Sequence, residues 1–185
     1  AADDETLARL KKGYQIQHVE RCLGWMTKYG LHPHLTIMVG YYWQTQEQLD
    51  QTVSFVKDLM LRGLARTLQV TLCTPLDFTE YHEECIRKGV LLTRNYDDHD
   101  MSKLIVKTPI PHDSYYLAIR EMYSIAFHPQ FILRQLKFLF SFQKRDWQFL
   151  FTYGLRAIRR VRQHIFNLTR EQGKSDSKLE PAHAD

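Results

Sequence analysis

Ile16, Val19, Leu23 and Met26 recur three or four residues apart, the spacing of one apolar helical stripe. They predict a helix over residues 15–29 that Gly30 ends. Leu35 to Gly40 then forms an almost unbroken apolar run, the pattern of a strand buried on both faces in a parallel sheet. Thr45 followed by Gln48 makes a capping box. Leu49, Val53, Val56 and Met60 place a second stripe on a helix that runs to residue 62, where Gly63 stops it. A second strand is expected from Thr67 to Cys73, closing at Pro75. Helix, strand, helix, strand with short links is the order of α/β units joined by right-handed crossovers.

From residue 76 the rhythm changes. A short helix is expected over 79–88, and residues 95–111 read as polar or extended, with Asp97, Asp98 and Asp100 clustered. Helices follow over 113–127, 130–140 and 144–168, and residues 171–185 have the composition of a disordered tail. Two strands are too few for a stable open sheet covered by helices on both faces, and the first long element is a helix. The pattern is therefore that of the back half of a larger α/β domain.

The chain has 185 residues, 44% of them apolar and 25% charged, a globular composition that argues against disorder and fibrous repeats. No run of roughly 18 apolar residues occurs, so no membrane-spanning helix is predicted. The start, Ala1-Ala2-Asp3-Asp4-Glu5, is acidic and lacks the apolar core of a signal peptide. Its missing methionine suggests an excised or processed piece. Cys22, Cys73 and Cys85 are too few and too scattered for a disulfide framework, which fits a reducing cytoplasmic setting. The net charge of +4 hides an asymmetry: residues 130–170 carry nine Lys/Arg against Asp146 alone, while the flanking segments are each mildly acidic.

That basic block is interleaved with Phe138, Phe140, Phe142, Trp147, Phe149, Phe151, Tyr153 and Phe166. Three readings stand: an aromatic face packed on the α/β part with arginines in water, a helix lying on an anionic membrane surface through residues 134–170, or a grip on phosphates. Nucleic acid is the least favoured partner. His32-Pro33-His34 and the pair His82 with Cys85 are metal-ligand types, but no third ligand is evident, and loop histidines explain them better. Glu83-Glu84 and Asp97-Asp98-His99-Asp100 lack the glycine and terminal glutamate of a calcium loop and read as solvated turns or faces. Tyr41, Tyr42 and Trp43 sit at a strand mouth, where they border a pocket or cap the core.

A family resemblance runs through the order of these segments. Asp4-Glu5-Thr6-Leu7, Leu10-Lys11-Lys12-Gly13 and the helix ending at Gly30 resemble the middle of a radical S-adenosylmethionine barrel. Thr36-Ile37-Met38-Val39-Gly40-Tyr41 is similar to that family's fifth strand, with Gly40, Tyr41 and Thr45 matching the usual strand-end pattern. Tyr42 and Gln44 replace its proline and glutamate. Leu72-Cys73-Thr74-Pro75-Leu76 resembles the sixth strand, with Asp77, Phe78 and Glu80 departing from the pattern. Arg120-Glu121-Met122-Tyr123 and Phe127 to Arg134 look like the helical tail of the cobalamin-binding branch.

The resemblance covers roughly residues 3–135 and implies a partial parallel βα (TIM-like) barrel followed by a helical region. The expected organisation is 1–110 as barrel, 111–170 as the basic and aromatic helical region, and 171–185 as tail. It implies S-adenosylmethionine and a [4Fe-4S] cluster as cofactors of the complete protein, with cobalamin for radical-based methylation or rearrangement. Met38, Gly40, Thr74 and Pro75 are the residues it places beside the cofactor's adenosine. No catalytic or metal-binding residue is expected in this chain. The family's Cys-x3-Cys-x2-Cys loop is missing, so the cluster ligands belong to an amino-terminal half or a partner chain. The alternatives are a non-catalytic partner module and a peripheral membrane-binding helical protein.

Overall fold

The computed structural model describes residues 2–139, and the expected helix over 144–168 and the tail lie outside them. The chain divides into two compact units, Ala1–Gln135 and Leu136–Asp185. In the first unit a short helix α1 (Asp4–Arg9) precedes α2 (Ile16–Lys28), β1 (His34–Val39), α3 (Gln46–Arg62), β2 (Thr67–Leu72) and α4 (Glu80–Arg87). α5 (His112–Ser124) and α6 (Pro129–Leu139) follow, joined by a 3-10 turn at Ile125–Phe127. Expected and observed helices agree to within a few residues. The exception is α1, which the apolar spacing did not single out. Its cap is legible in hindsight: the Asp3 carboxylate accepts the Thr6 backbone N–H at 2.7 Å.

β1 and β2 pair in parallel, from His34 opposite Thr67 to Val39 opposite Leu72. α3 makes the crossover between them. Thr45 and Gln48 form the reciprocal capping box at its start, and Gly63 ends it in the left-handed conformation at φ +76. The core lies on one side of this sheet. Leu35, Ile37, Val39, Val70 and Leu72 point into it, where they meet Leu49, Val56 and Leu59 of α3. Tyr115, Ala118 and Met122 of α5 belong to the same core.

The expectation that β1 is buried on both faces is corrected here. His34, Thr36 and Met38 alternate with the buried residues and are exposed, as are Thr67 and Gln69 of β2. One face of the sheet is therefore covered by helices and the other is open and mostly polar. The apolar run misled because its polar positions, Thr36 above all, are compatible with either environment. Among the described residues the sheet has two strands and does not close on itself.

Residues 90–110 depart from the polar reading as well. Leu104, Ile105 and Val106 are buried, and Leu91 bridges Val106 antiparallel. This strap lies over the end of β1, where Leu104 covers Gly40.

Candidate functional site

The carboxyl ends of β1 and β2 carry the residues singled out from the sequence. Met38 projects from the open face, 42% exposed. Two residues on, the chain turns at Gly40 with φ +90, and its N–H donates to the Gln44 side-chain oxygen at 2.7 Å. Gln44 is almost fully buried, so the residue that replaces the expected glutamate holds the strand-end turn. A carboxylate there would bring an uncompensated charge into the core. Thr74 and Pro75 leave β2 beside it: Pro75 is fully buried, and the Thr74 hydroxyl oxygen is buried with no hydrogen-bond partner. The four positions thus divide. Met38 lies exposed on the open face and the Thr74 hydroxyl is buried without a partner, whereas Gly40 and Pro75 are covered and shape the backbone.

Next to these ends stands an aromatic cluster. Tyr41 stacks on Trp43 at 5.1 Å between ring centroids, and Tyr81 of α4 meets Trp43 edge-on at 5.6 Å and Tyr42 face-on at 6.1 Å. The Arg9 guanidinium lies 3.8 Å from the Trp43 ring centroid, a cation–π contact from α1. Arg9 also reaches Glu84 at 3.2 Å, and the Tyr42 hydroxyl donates to the same carboxylate. That hydrogen bond, supported by Arg9, holds the Glu84 carboxyl below the ordinary carboxylate range. Burial, then the bond to Glu84, pushes the Tyr42 phenol up to about 12. The triplet expected to border a pocket or cap the core thus packs as a cap, with one edge on a cavity.

The cavity, of about 370 Å³, is lined by Asp3, Arg9, Trp43, Thr45 and Gln48 among others. Two buried polar atoms beside it have no partner, the Trp43 indole nitrogen and one Asp3 carboxylate oxygen. Sequence spacing gives no sign of Arg9, Tyr81 and Glu84 in this arrangement. They are 33 to 75 residues from their partners, and no spacing rule connects positions so far apart.

The cysteines do not converge. Cys22 is exposed on α2, while Cys73 and Cys85 are buried near the Tyr81 hydroxyl. Burial pushes the Cys73 thiol up to about 12 and the Cys85 thiol up to about 11, with the Tyr81 contact offsetting part of the rise. Both are therefore protonated at neutral pH, unlike reactive or metal-binding thiolates.

Their burial links stability to pH. In the unfolded chain these thiols ionise near pH 9, but in the fold they keep their protons, so their contribution is complete below pH 9 and declines above it. The two thiols together are expected to lower the unfolding free energy by roughly 4 kcal/mol between about pH 9 and pH 11. The tyrosines whose phenols burial also pushes up steepen the fall above about pH 10. Chemical denaturation across that range is the measurement, and Cys73→Ala should make the decline shallower by about 2 kcal/mol.

The other candidate clusters are dispersed among local partners. His34 Nδ1 lies 2.7 Å from the Thr67 hydroxyl, and His32 stands beside Arg66. His82 faces Asp77 at 3.0 Å, Asp98 pairs with Lys103 at 2.6 Å, and Asp100 accepts the Ser102 N–H. Among the described residues no group of three or more His, Cys, Asp or Glu side chains is arranged to hold a metal ion. No helix among them is long and apolar enough to cross a membrane. No protein-family model matches the chain, and no curated protein matches it either.

Proposed function

We propose that this chain forms the carboxyl-terminal wall of a βα barrel in a radical S-adenosylmethionine enzyme of the cobalamin-binding branch. The observation that carries the reading is the one-sided sheet. The β1–α3–β2 unit buries its outer face under helices and leaves His34, Thr36, Met38, Thr67 and Gln69 on an open, mostly polar face. In a barrel wall the helices likewise lie outside the strands, and ligands sit at the carboxyl ends of the strands. Strand ends carry the ligand contacts in such folds, and the Thr74 hydroxyl, buried without a partner, stands at the end of β2.

The residues present suit part of an adenosine site. Met38 offers an apolar side chain on the open face, and the buried Thr74 hydroxyl lacks the partner that a ribose or purine edge supplies. Gly40 and Pro75 set the path of the backbone around it. The cluster does not suit this chain, because its three cysteines are apart and two are buried as protonated thiols. S-adenosylmethionine and a [4Fe-4S] cluster, held largely by residues outside this segment, supply the radical chemistry, and cobalamin serves methylation or rearrangement.

The test has two arms. Anaerobic iron–sulfur reconstitution of the chain alone should leave no cluster bound, and about four irons per chain would show that the cysteine assignment is wrong. In an assembly with the polypeptide bearing the Cys-x3-Cys-x2-Cys loop, Thr74→Val should weaken S-adenosylmethionine binding by about three- to tenfold with iron content unchanged. Unaltered affinity in both Thr74→Val and Met38→Glu would exclude the adenosine role. The scattered cysteines favour a second reading as well, a non-catalytic module. That module would assemble with the cluster-bearing chain and leave its affinity for the cofactor as it was.

A further inference from the structure

α6 is turned the opposite way from an ordinary surface helix. Its inward contacts are polar. The Arg134 guanidinium donates to the Leu61 carbonyl at the end of α3, lying where a Cβ on Gly63 would stand. Arg66 donates to the Gln135 side-chain oxygen at 3.3 Å, and the Gln135 amide donates back to the Arg66 carbonyl at 3.4 Å. Phe131 packs against the apolar core from this helix.

The outward face is largely apolar, with Gln130 and Lys137 exposed at its edge. Ile132 is 41% exposed and Leu133 57%, and Phe127, in the 3-10 turn that feeds α6, is 82% exposed. Leu136 further along the same helix is exposed as well. At 3.6 residues per turn, positions 132, 133 and 136 fall within an arc of about 100°. With Arg134 and Gln135 turned inward and Ile132, Leu133 and Leu136 outward, the helix leaves an apolar stripe for something else to cover.

The charge pattern says what covers it. The stripe opens the segment 130–170, whose nine Lys/Arg face one acidic residue, with aromatic side chains between them. Apolar insertion combined with a polybasic segment is the pair of signals that stable interfacial anchoring needs, each being too weak alone. We infer that the Phe127–Leu133 stripe docks on an anionic lipid surface, with the basic segment drawing the chain to it. This goes beyond the barrel reading and uses different residues, so either can fail without the other.

The test is co-sedimentation of the full chain with two kinds of vesicle, pure phosphatidylcholine and phosphatidylcholine containing about 30% phosphatidylserine. Binding is expected to the anionic vesicles and to fall about tenfold in high salt. The pair Phe127→Glu and Leu133→Glu should lower it about tenfold with helicity unchanged. Leu133→Trp keeps the stripe apolar, and the emission of the introduced indole should shift to the blue on addition of anionic vesicles. No binding to anionic vesicles would overturn the inference. So would binding that the two glutamates leave intact, or an emission from the Leu133→Trp variant that does not move. Self-association abolished by the glutamates without vesicle binding would reassign the stripe to a contact between copies.

Discussion

Leu59→Ala is expected to lower the unfolding free energy by about 2–5 kcal/mol, the range for a leucine removed from a core that cannot collapse around the gap. Leu59 is completely buried on α3, in the same core as Val39 of β1 and Met122 of α5. The loss combines the transfer free energy of the deleted carbons with the cavity left behind. A matched replacement at Leu117 of α5, 63% exposed, should change stability by less than about 0.5 kcal/mol. Urea titration of both variants measures the contrast. A small loss at Leu59 would mean that α3 is not clamped between the sheet and α5.

Gly40→Ala is the second large effect, expected at about 1–3 kcal/mol. Two causes act together. The backbone at φ +90 is a conformation that side-chain-bearing residues rarely adopt, and a Cβ would stand 2.5 Å from the Leu104 Cδ1. The Leu104 methyl can yield, so relieving it with Leu104→Ala in the Gly40→Ala background should recover only the steric share. What remains reports the backbone. The control is Gly24→Ala: Gly24 lies within α2, where an added Cβ meets nothing within 4 Å. Alanine there should be neutral or slightly stabilising. If Gly40→Ala proved as harmless as Gly24→Ala, the turn at the end of β1 would not need its glycine.

The elements that were legible in the sequence are those whose signal is local. The stripe on α3, its Thr45 box and its Gly63 stop are all written within a single stretch, and they fix where the crossover begins and ends. What escaped depends on residues far apart. Arg9, Tyr42 and Glu84 meet through three separate elements, and the Tyr81 hydroxyl reaches Cys73 only after α4 folds back, although Cys85 lies one turn along the same helix. Residues 95–111 read as polar or extended on their aspartates and prolines, and the burial of Leu104, Ile105 and Val106 within them follows from packing over the end of β1. Of the four positions tied to an adenosine, the sequence could mark the strand ends. Which of them keep an unsatisfied group, Thr74, and which are sealed, Gly40 and Pro75, follows from what packs above them.

The crossover has a bearing on how the chain forms during synthesis. His34 and Thr67, the first pair of the register, are separated by 33 residues, and a flexible loop of that length makes strand pairing entropically costly. A preformed α3 stiffens 17 of those residues into a rod of about 25 Å with both ends capped, leaving only short links to search. Pairing of β1 with β2 then needs nothing beyond Leu72, so this unit is complete as soon as that residue leaves the ribosome. α5 docks on it later, packing against α3 and accepting the Val70 N–H of β2 with the Tyr123 hydroxyl. Chain order therefore lets the crossover pair form before α5 is made, while the core it belongs to closes only when Tyr115, Ala118 and Met122 arrive.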